Sequence, residues 1–301
     1  LAMFRTPVVA LMPDITPSQF RSQANGLINL MGGIGAIIAF AGGAVLFKAN
    51  PAFPFWAAAL LLLIGSGIVL WKIREPQDAT TVAVEKRPGL LASLGKIFSA
   101  GDKSALLLLL AIFAWFVGYN AVSKFFTLYG VLALKLEASQ ASFLLTFLAL
   151  MFVIFAVPSG YIAAKFGRRR TILVGIVVIG VLALIVRLLP IEAQTSGVLL
   201  PVLLAFIGIG WALININSLP MVVDIAPQTE LATYTGLYYF ASTSAAVIGP
   251  FASGLLIDAL GKDYGVIFAI AAVMFGVAFL LMLGVKKGER ADQGVAPAPA
   301  E

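Results

Sequence analysis

The chain has 301 residues, 61% of them hydrophobic and only 11% charged, with a mean hydropathy of +1.02. A soluble domain carries about 25% charged residues, and no soluble fold of this length hides so much apolar surface. The absence of Cys and His removes thiol catalysis, disulfides and most transition-metal sites, and the net charge of +6 fits cationic loops on one side of a membrane better than nucleic-acid binding.

A transmembrane helix needs about 20 apolar residues. Residues 1–14 supply part of one. Full spans are expected near 22–47, 54–73, 104–133, 139–164, 171–190, 197–222, 231–257 and 264–285. Barrel strands would alternate apolar and polar residues, whereas these runs are unbroken. The class is therefore an all-α polytopic membrane protein, whose backbone satisfies its own hydrogen bonds inside lipid. The mixed-charge stretch at 74–103 reads as a solvated linker. Residues 287–301, ending "GVAPAPAE", read as a disordered tail. The chain starts at Leu1 with no recognisable signal peptide, and the expectation is a fragment whose N-terminal portion is missing.

Lys and Arg set the orientation. Fourteen of them, including Arg21, Lys165, Arg168, Arg169, Arg170, Lys286 and Lys287, fall on one side; four, Lys48, Lys135, Arg187 and Lys262, fall on the other. The richer side, with the C-terminus, is expected to be cytoplasmic, in a plasma (inner) membrane.

The chain repeats itself at an offset of 210 (224 − 14). Asp14, Ile15, Pro17, Gly26, Leu27, Ala36 and Ile38 match Asp224, Ile225, Pro227, Gly236, Leu237, Ala246 and Ile248. In each copy an Asp ends one span, a Pro three residues later can start the next helix, and a Gly one to two turns on can admit a close neighbour. Both copies run in the same membrane direction, a sign of parallel repeats in a secondary transporter.

"SGYIAAKFGRRR" at 159–170 resembles the loop motif of the major facilitator superfamily. Gly160, Lys165, Gly167, Arg168 and Arg169 match it, while Ala164 stands where the motif has an acid. "RTPVVALMPDITPSQFRSQANGLINLMGG", "FVGYNAVSKFFTLYG" and "GIGWALININSLPMVVDIAP" are similar to the sucrose-transporter-like branch, the solute carrier family 45 type, related to glycoside–pentoside–hexuronide symporters. The resemblance implies a major facilitator fold of two parallel, pseudo-symmetric six-helix halves. Residues 1–73 would be the remainder of the N-terminal half, 74–103 the cytoplasmic linker and 104–286 the C-terminal half. The partial span would be helix four, with helices one to three missing. The implied activity is proton-coupled uptake of a sugar or glycoside by alternating access, by a monomer, with a proton or other cation as coupling ion and no cofactor.

Site candidates follow from depth. Arg5 lies nine residues before Asp14, about 13 Å into the membrane at 1.5 Å per residue. A charge there marks function or a structural ion pair, and it calls for a carboxylate on a missing helix. Asn25 and Asn29 share a helix face. Their amides suit sugar hydroxyls and equally suit interhelical bonds. Asn215 and Tyr239 hold the repeat positions of Arg5 and Asn29, and Asn217 lies beside that level. Tyr119 and Asn120 are expected on the outer wall of a cavity, Lys124 snorkelling outward. Trp56 and Trp71 fit interfacial belts, whereas Trp211 is expected only to pack beside Gly208 and Gly210. The expected cytoplasmic gate is Asp14, Arg21, Gly160, Lys165, Gly167, Arg168, Arg169 and Asp224, with the basic loop facing Asp14 by analogy with the family's pseudo-symmetry. A membrane enzyme is disfavoured by the lack of His, Cys and any mid-membrane acid. Efflux or uptake of another small organic solute is the alternative to sugar symport.

Overall fold

The computed structural model describes residues 12, 16–50, 52–72, 95, 102–195, 197–227 and 230–289. Arg5 and Asp14, nearly all of the linker and the chain from 290 onward lie outside the described residues. The helices are α1 (Arg21–Ala49), α2 (Phe53–Lys72), α3 (Ser104–Leu132), α4 (Ala138–Phe166), α5 (Arg168–Leu188), the short α6 (Ile191–Gln194), α7 (Leu199–Ile225), α8 (Leu231–Ala259) and α9 (Val266–Leu283). All eight full spans expected from the apolar runs are present as helices, and no strand occurs among the described residues. Six of them, in α3, α4, α5, α7, α8 and α9, are long and apolar enough to cross a bilayer on their own count.

The core sits on α3 and α7, where Trp115, Phe126, Ile214 and Ile216 are fully buried. Around them α5, α8 and α9 pack, with α4 against α7 on the other side. Helix α2 lies outermost: Phe55, Trp56, Leu63 and Trp71 are exposed. Trp56 and Trp71 stand near its opposite ends. Lys124 is exposed on α3.

The repeated phrase folds into a repeated turn. The Phe20 N–H donates to the Pro17 carbonyl at 2.9 Å, and the Glu230 N–H donates to the Pro227 carbonyl at 2.9 Å. The next helix starts directly after each. The two glycines of the repeat do not share a role. A Cβ on Gly26 would lie 2.5 Å from the Ala156 carbonyl oxygen of α4, whereas one on Gly236 would meet nothing within 4 Å. The close neighbour expected at both copies is found at the first only, because α1 has α4 to press on and α8 presents Gly236 to open space.

The α1–α4 seam is tight along its length. A Cβ on Gly160 would lie 2.8 Å from the Ser22 carbonyl oxygen, and one on Gly33 would lie 2.7 Å from the Val153 side chain. Within the second half, a Cβ on Gly208 would collide with the Leu148 carbonyl oxygen. Two expected boundaries move. Helix α5 starts at Arg168 instead of 171, and residues 287–289 belong to the folded end rather than to a free tail.

Gly208→Val and Gly26→Val each force a backbone to move, at about 1–3 kcal/mol. Both variants should lose several degrees of melting temperature in detergent, whereas Gly32→Ala, whose Cβ meets nothing within 4 Å, should lose none.

Candidate functional site

Proline sets the first tie. Pro220 lies inside α7 and has no N–H, so the carbonyl of residue 216, four positions earlier, loses its intrahelical donor. In a membrane that oxygen must find another partner. Asn25 Nδ2 donates to the Ile216 carbonyl at 2.6 Å, joining α1 to α7. Asn29 Nδ2 donates back to the Asn25 carbonyl at 2.8 Å. On the next face of α7, Asn217 Nδ2 donates to Ser159 Oγ of α4 at 2.9 Å and to the Leu213 carbonyl at 2.9 Å, and Ser159 Oγ donates to the Ala212 carbonyl at 3.0 Å. Asn25 and Asn217 are buried. Their amides hold helices together, the interhelical use weighed above for Asn25.

One turn nearer the basic end lies an ion cluster. Both oxygens of Asp224, at the end of α7, are engaged: Oδ1 by Arg21 Nη1 at the start of α1, and Oδ2 by Arg168 Nη1 at the start of α5. Side-chain exposure is 7% for Arg21, 4% for Arg168 and 2% for Asp224, so all three are desolvated. Arg168 Nε also donates to Ser22 Oγ at 2.8 Å, and Arg21 Nε to the Thr16 carbonyl at 3.2 Å.

Beneath this cluster, the two oxygens of Glu289 accept the backbone N–H groups of Arg168 at 2.8 Å and Arg169 at 3.0 Å. The Arg169 guanidinium donates to the last carbonyls of α9, Met282 at 3.2 Å and Leu283 at 2.8 Å. The loop's Gly167 has φ +92°, and a Cβ there would lie 3.1 Å from Glu289 Oε2. Position 164 offers no carboxylate, and Glu289 brings one to the same loop from beyond α9. Alongside, Lys287 pairs with Asp102 at 3.0 Å, and the Lys286 N–H donates to Ser104 Oγ at 3.0 Å. Bonds from Ser104, from its side chain and its N–H, and then Lys287 pull the Asp102 carboxyl from its ordinary 3.8 down to about 2.

Of the expected gate residues, Arg21, Gly160, Gly167, Arg168, Arg169 and Asp224 come together at this end. Lys165 stays exposed, its ammonium over the ring of Phe166 at 5.4 Å. Asp14 lies outside the described residues. Among those described, the carboxylate facing Arg168 is Asp224, the repeat copy of Asp14.

On the face of α7 marked by residues 211, 215 and 218, an aromatic group joins α3 and α8. Tyr119 stacks on Trp211, with centroids 3.9 Å apart and planes 7° apart, and Phe116 meets Trp211 edge-on at 5.2 Å. Trp211 thus packs against rings, not merely beside the glycines around it. Phe116 also meets Tyr238 edge-on, and Tyr238 meets Tyr239 at 5.2 Å. Ser218 Oγ donates to the Asn215 carbonyl at 3.1 Å and lies 3.3 Å from the Tyr238 hydroxyl. Asn120 is buried and donates to the Phe116 carbonyl at 2.7 Å. Asn29, Tyr119, Asn215 and Tyr239 are half-buried. Trp211, Phe116, Tyr238, Ser159 and Glu289 were not among the expected site residues.

A bundle of membrane-crossing helices with a repeated helix junction defines the class as a multi-pass membrane protein. The family model described as Major Facilitator Superfamily matches residues 1–144 and 131–300, and the chain belongs to that superfamily. Three solved structures share the fold. The transporter FucP in the outward conformation is 19% identical with a TM-score of 0.72, over 94% of this chain and 72% of that one. A variant of the E. coli fucose:proton symporter FucP is 17% identical with a TM-score of 0.73, over 94% and 73%. The proton:xylose symporter XylE bound to 6-bromo-6-deoxy-D-glucose is 15% identical with a TM-score of 0.67, over 93% and 67%.

Asp224→Asn leaves two buried guanidinium groups facing a neutral amide, a loss of about 3–5 kcal/mol. The half-exposed pair Arg187–Asp263, at 2.9 Å, is worth about 0–1 kcal/mol. Melting in detergent should therefore separate Asp224→Asn clearly from Arg187→Ala. Asp102 has a depressed folded pKa, so its contribution is complete above its unfolded value of 3.8 and disappears as pH falls to about 2. The melting-temperature gap between wild type and Asp102→Asn should close over that window.

Proposed function

We propose that this transporter is a proton-coupled symporter of a sugar or glycoside, working by alternating access as a monomer in a plasma (inner) membrane, with its basic end cytoplasmic. The observation that carries the reading is the way α1 is held to the second half at the basic end. The ties run through side chains, Arg21 to Asp224 and Asn25 to the Ile216 carbonyl, which can part without unfolding either helix. Such ties would close the cytoplasmic mouth and break when it opens.

The cargo class rests on the half-buried Asn29, Tyr119, Asn215 and Tyr239. Their amides and hydroxyls match sugar hydroxyls, and aromatic faces suit the apolar face of a sugar ring. Fold-mates that carry fucose and xylose with protons support the same class. Asp224 is already shared by two arginines, which leaves it unsuited to carry the coupling proton. The aromatic group around Trp211 favours the second reading, in which a less polar organic solute is the cargo.

Proteoliposomes of the full-length protein should accumulate labelled sucrose, maltose or glucose under an inward proton gradient and lose that accumulation with a protonophore. Asn29→Ala and Tyr239→Phe should each reduce uptake about tenfold, the cost of one lost hydrogen bond. No gradient-dependent uptake of any of the three sugars would move the reading to the other solute class.

A further inference from the structure

Glu289 follows the last span and stands outside the gate just proposed, yet its carboxylate is aimed into it. Both oxygens are engaged by the first two amides of α5, and one of those amides belongs to Arg168. The same Arg168 reaches forward with its guanidinium to Asp224 and Ser22. Its backbone is therefore held from below by Glu289 while its side chain holds the α1–α7 junction from above. The approach is built for this carboxylate. Gly167, with φ +92°, leaves room for it. Gly288, with φ +94°, lets the chain pass under α7, where a Cβ would lie 2.7 Å from Met221 Cγ and 2.8 Å from the Met221 carbonyl oxygen. Met221 is on the turn of α7 before Asp224. A negative charge at the N-terminus of α5 also opposes the positive end of that helix, so the preference for this position is electrostatic as well as geometric.

We propose that Glu289 is a positioning residue for the transport cycle: by fixing the first turn of α5 it sets Arg168 for its contact with Asp224, so the segment after α9 tunes how firmly the basic end closes. This rests on the reading of the Arg21–Asp224–Arg168 cluster as a gate. When the cluster parts, Glu289 still holds the amides of the turn that carries Arg168, alongside the Arg169 contacts with the end of α9. Reclosure then finds the guanidinium already aimed.

The test uses the full-length chain in nanodiscs. The chain contains no Cys, so Gln19→Cys before α1 and Arg170→Cys on α5, both exposed, take spin labels selectively. Pulsed EPR then reads the ratio of separated to closed populations at the basic end. Glu289→Ala should raise that ratio about tenfold. Glu289→Gln, which keeps one acceptor oxygen and folds even if the alanine variant does not, should raise it by less. Asp224→Asn should raise it too, and the double variant should go no further than Asp224→Asn alone. Lys287→Ala, which releases the same segment from Asp102 but leaves Glu289 in place, should leave it near wild type. An unchanged ratio in the Glu289 variants while Asp224→Asn shifts it overturns the positioning role and spares the gate. Additive effects, or a Lys287→Ala shift as large as that of Glu289→Ala, overturn it as well. No shift with Asp224→Asn overturns the gate and the role of Glu289 together.

Discussion

A backbone carbonyl inside a bilayer has no water to turn to, and this constraint organises the structure. It makes every spanning element a helix, and it makes each break in a helix a demand on a neighbour. Pro220 breaks the ladder of α7 and frees the Ile216 carbonyl; Asn25 answers from another helix. At the basic end the same accounting continues beyond the helix interiors. The unmatched amides of α5 are met by Glu289 and the unmatched carbonyls of α9 by Arg169. Helices that pack side by side in opposite directions thus exchange end groups, each contributing the charge that the other's terminus lacks.

The same economy explains why charge can be buried here at all. Asp224 is shared by two guanidinium groups, and Arg168 has Ser22 as a further acceptor. A cluster satisfied this fully is stable in place and costly to leave half-made. That is a suitable property for an element with two alternative states, since intermediate arrangements are the expensive ones. The α1–α4 seam supplies the complementary non-polar contact, with Gly26 and Gly160 letting backbones touch.

Much of this was legible in the chain. The eight spans follow from apolar runs, and the paired turns at Pro17 and Pro227 follow from the repeat. That Arg21, Arg168 and Asp224 share one end follows from their position at span ends, but the basic loop was expected to face Asp14 and the carboxylate found on Arg168 is Asp224. What could not be read was rotation about the helix axes. A helix apolar on all sides carries no facing signal, so α3 and α7 concealed that Tyr119 turns toward Trp211 and that Asn217 turns toward Ser159 rather than to a cavity. Gly236 shows the limit of arguing from a repeat, because a glycine's use depends on the neighbour and not on its own sequence. Glu289 was lost to composition: the Ala/Pro-rich end drew the tail boundary too early, across a residue that closes a helix.

The Glu289 cap also has a consequence for how the protein is made. The carboxylate lies 121 residues beyond the amide it receives. At about 5–20 residues per second, it leaves the ribosome roughly ten seconds after that amide. Helix α5 is therefore made before the carboxylate that caps it, and its first turn gains that cap only after α9 has been synthesised. Until then Arg168 can hold Asp224, but its own backbone amide lacks its carboxylate cap. The segment after α9 thus acts as a late step in the assembly of the bundle in the membrane.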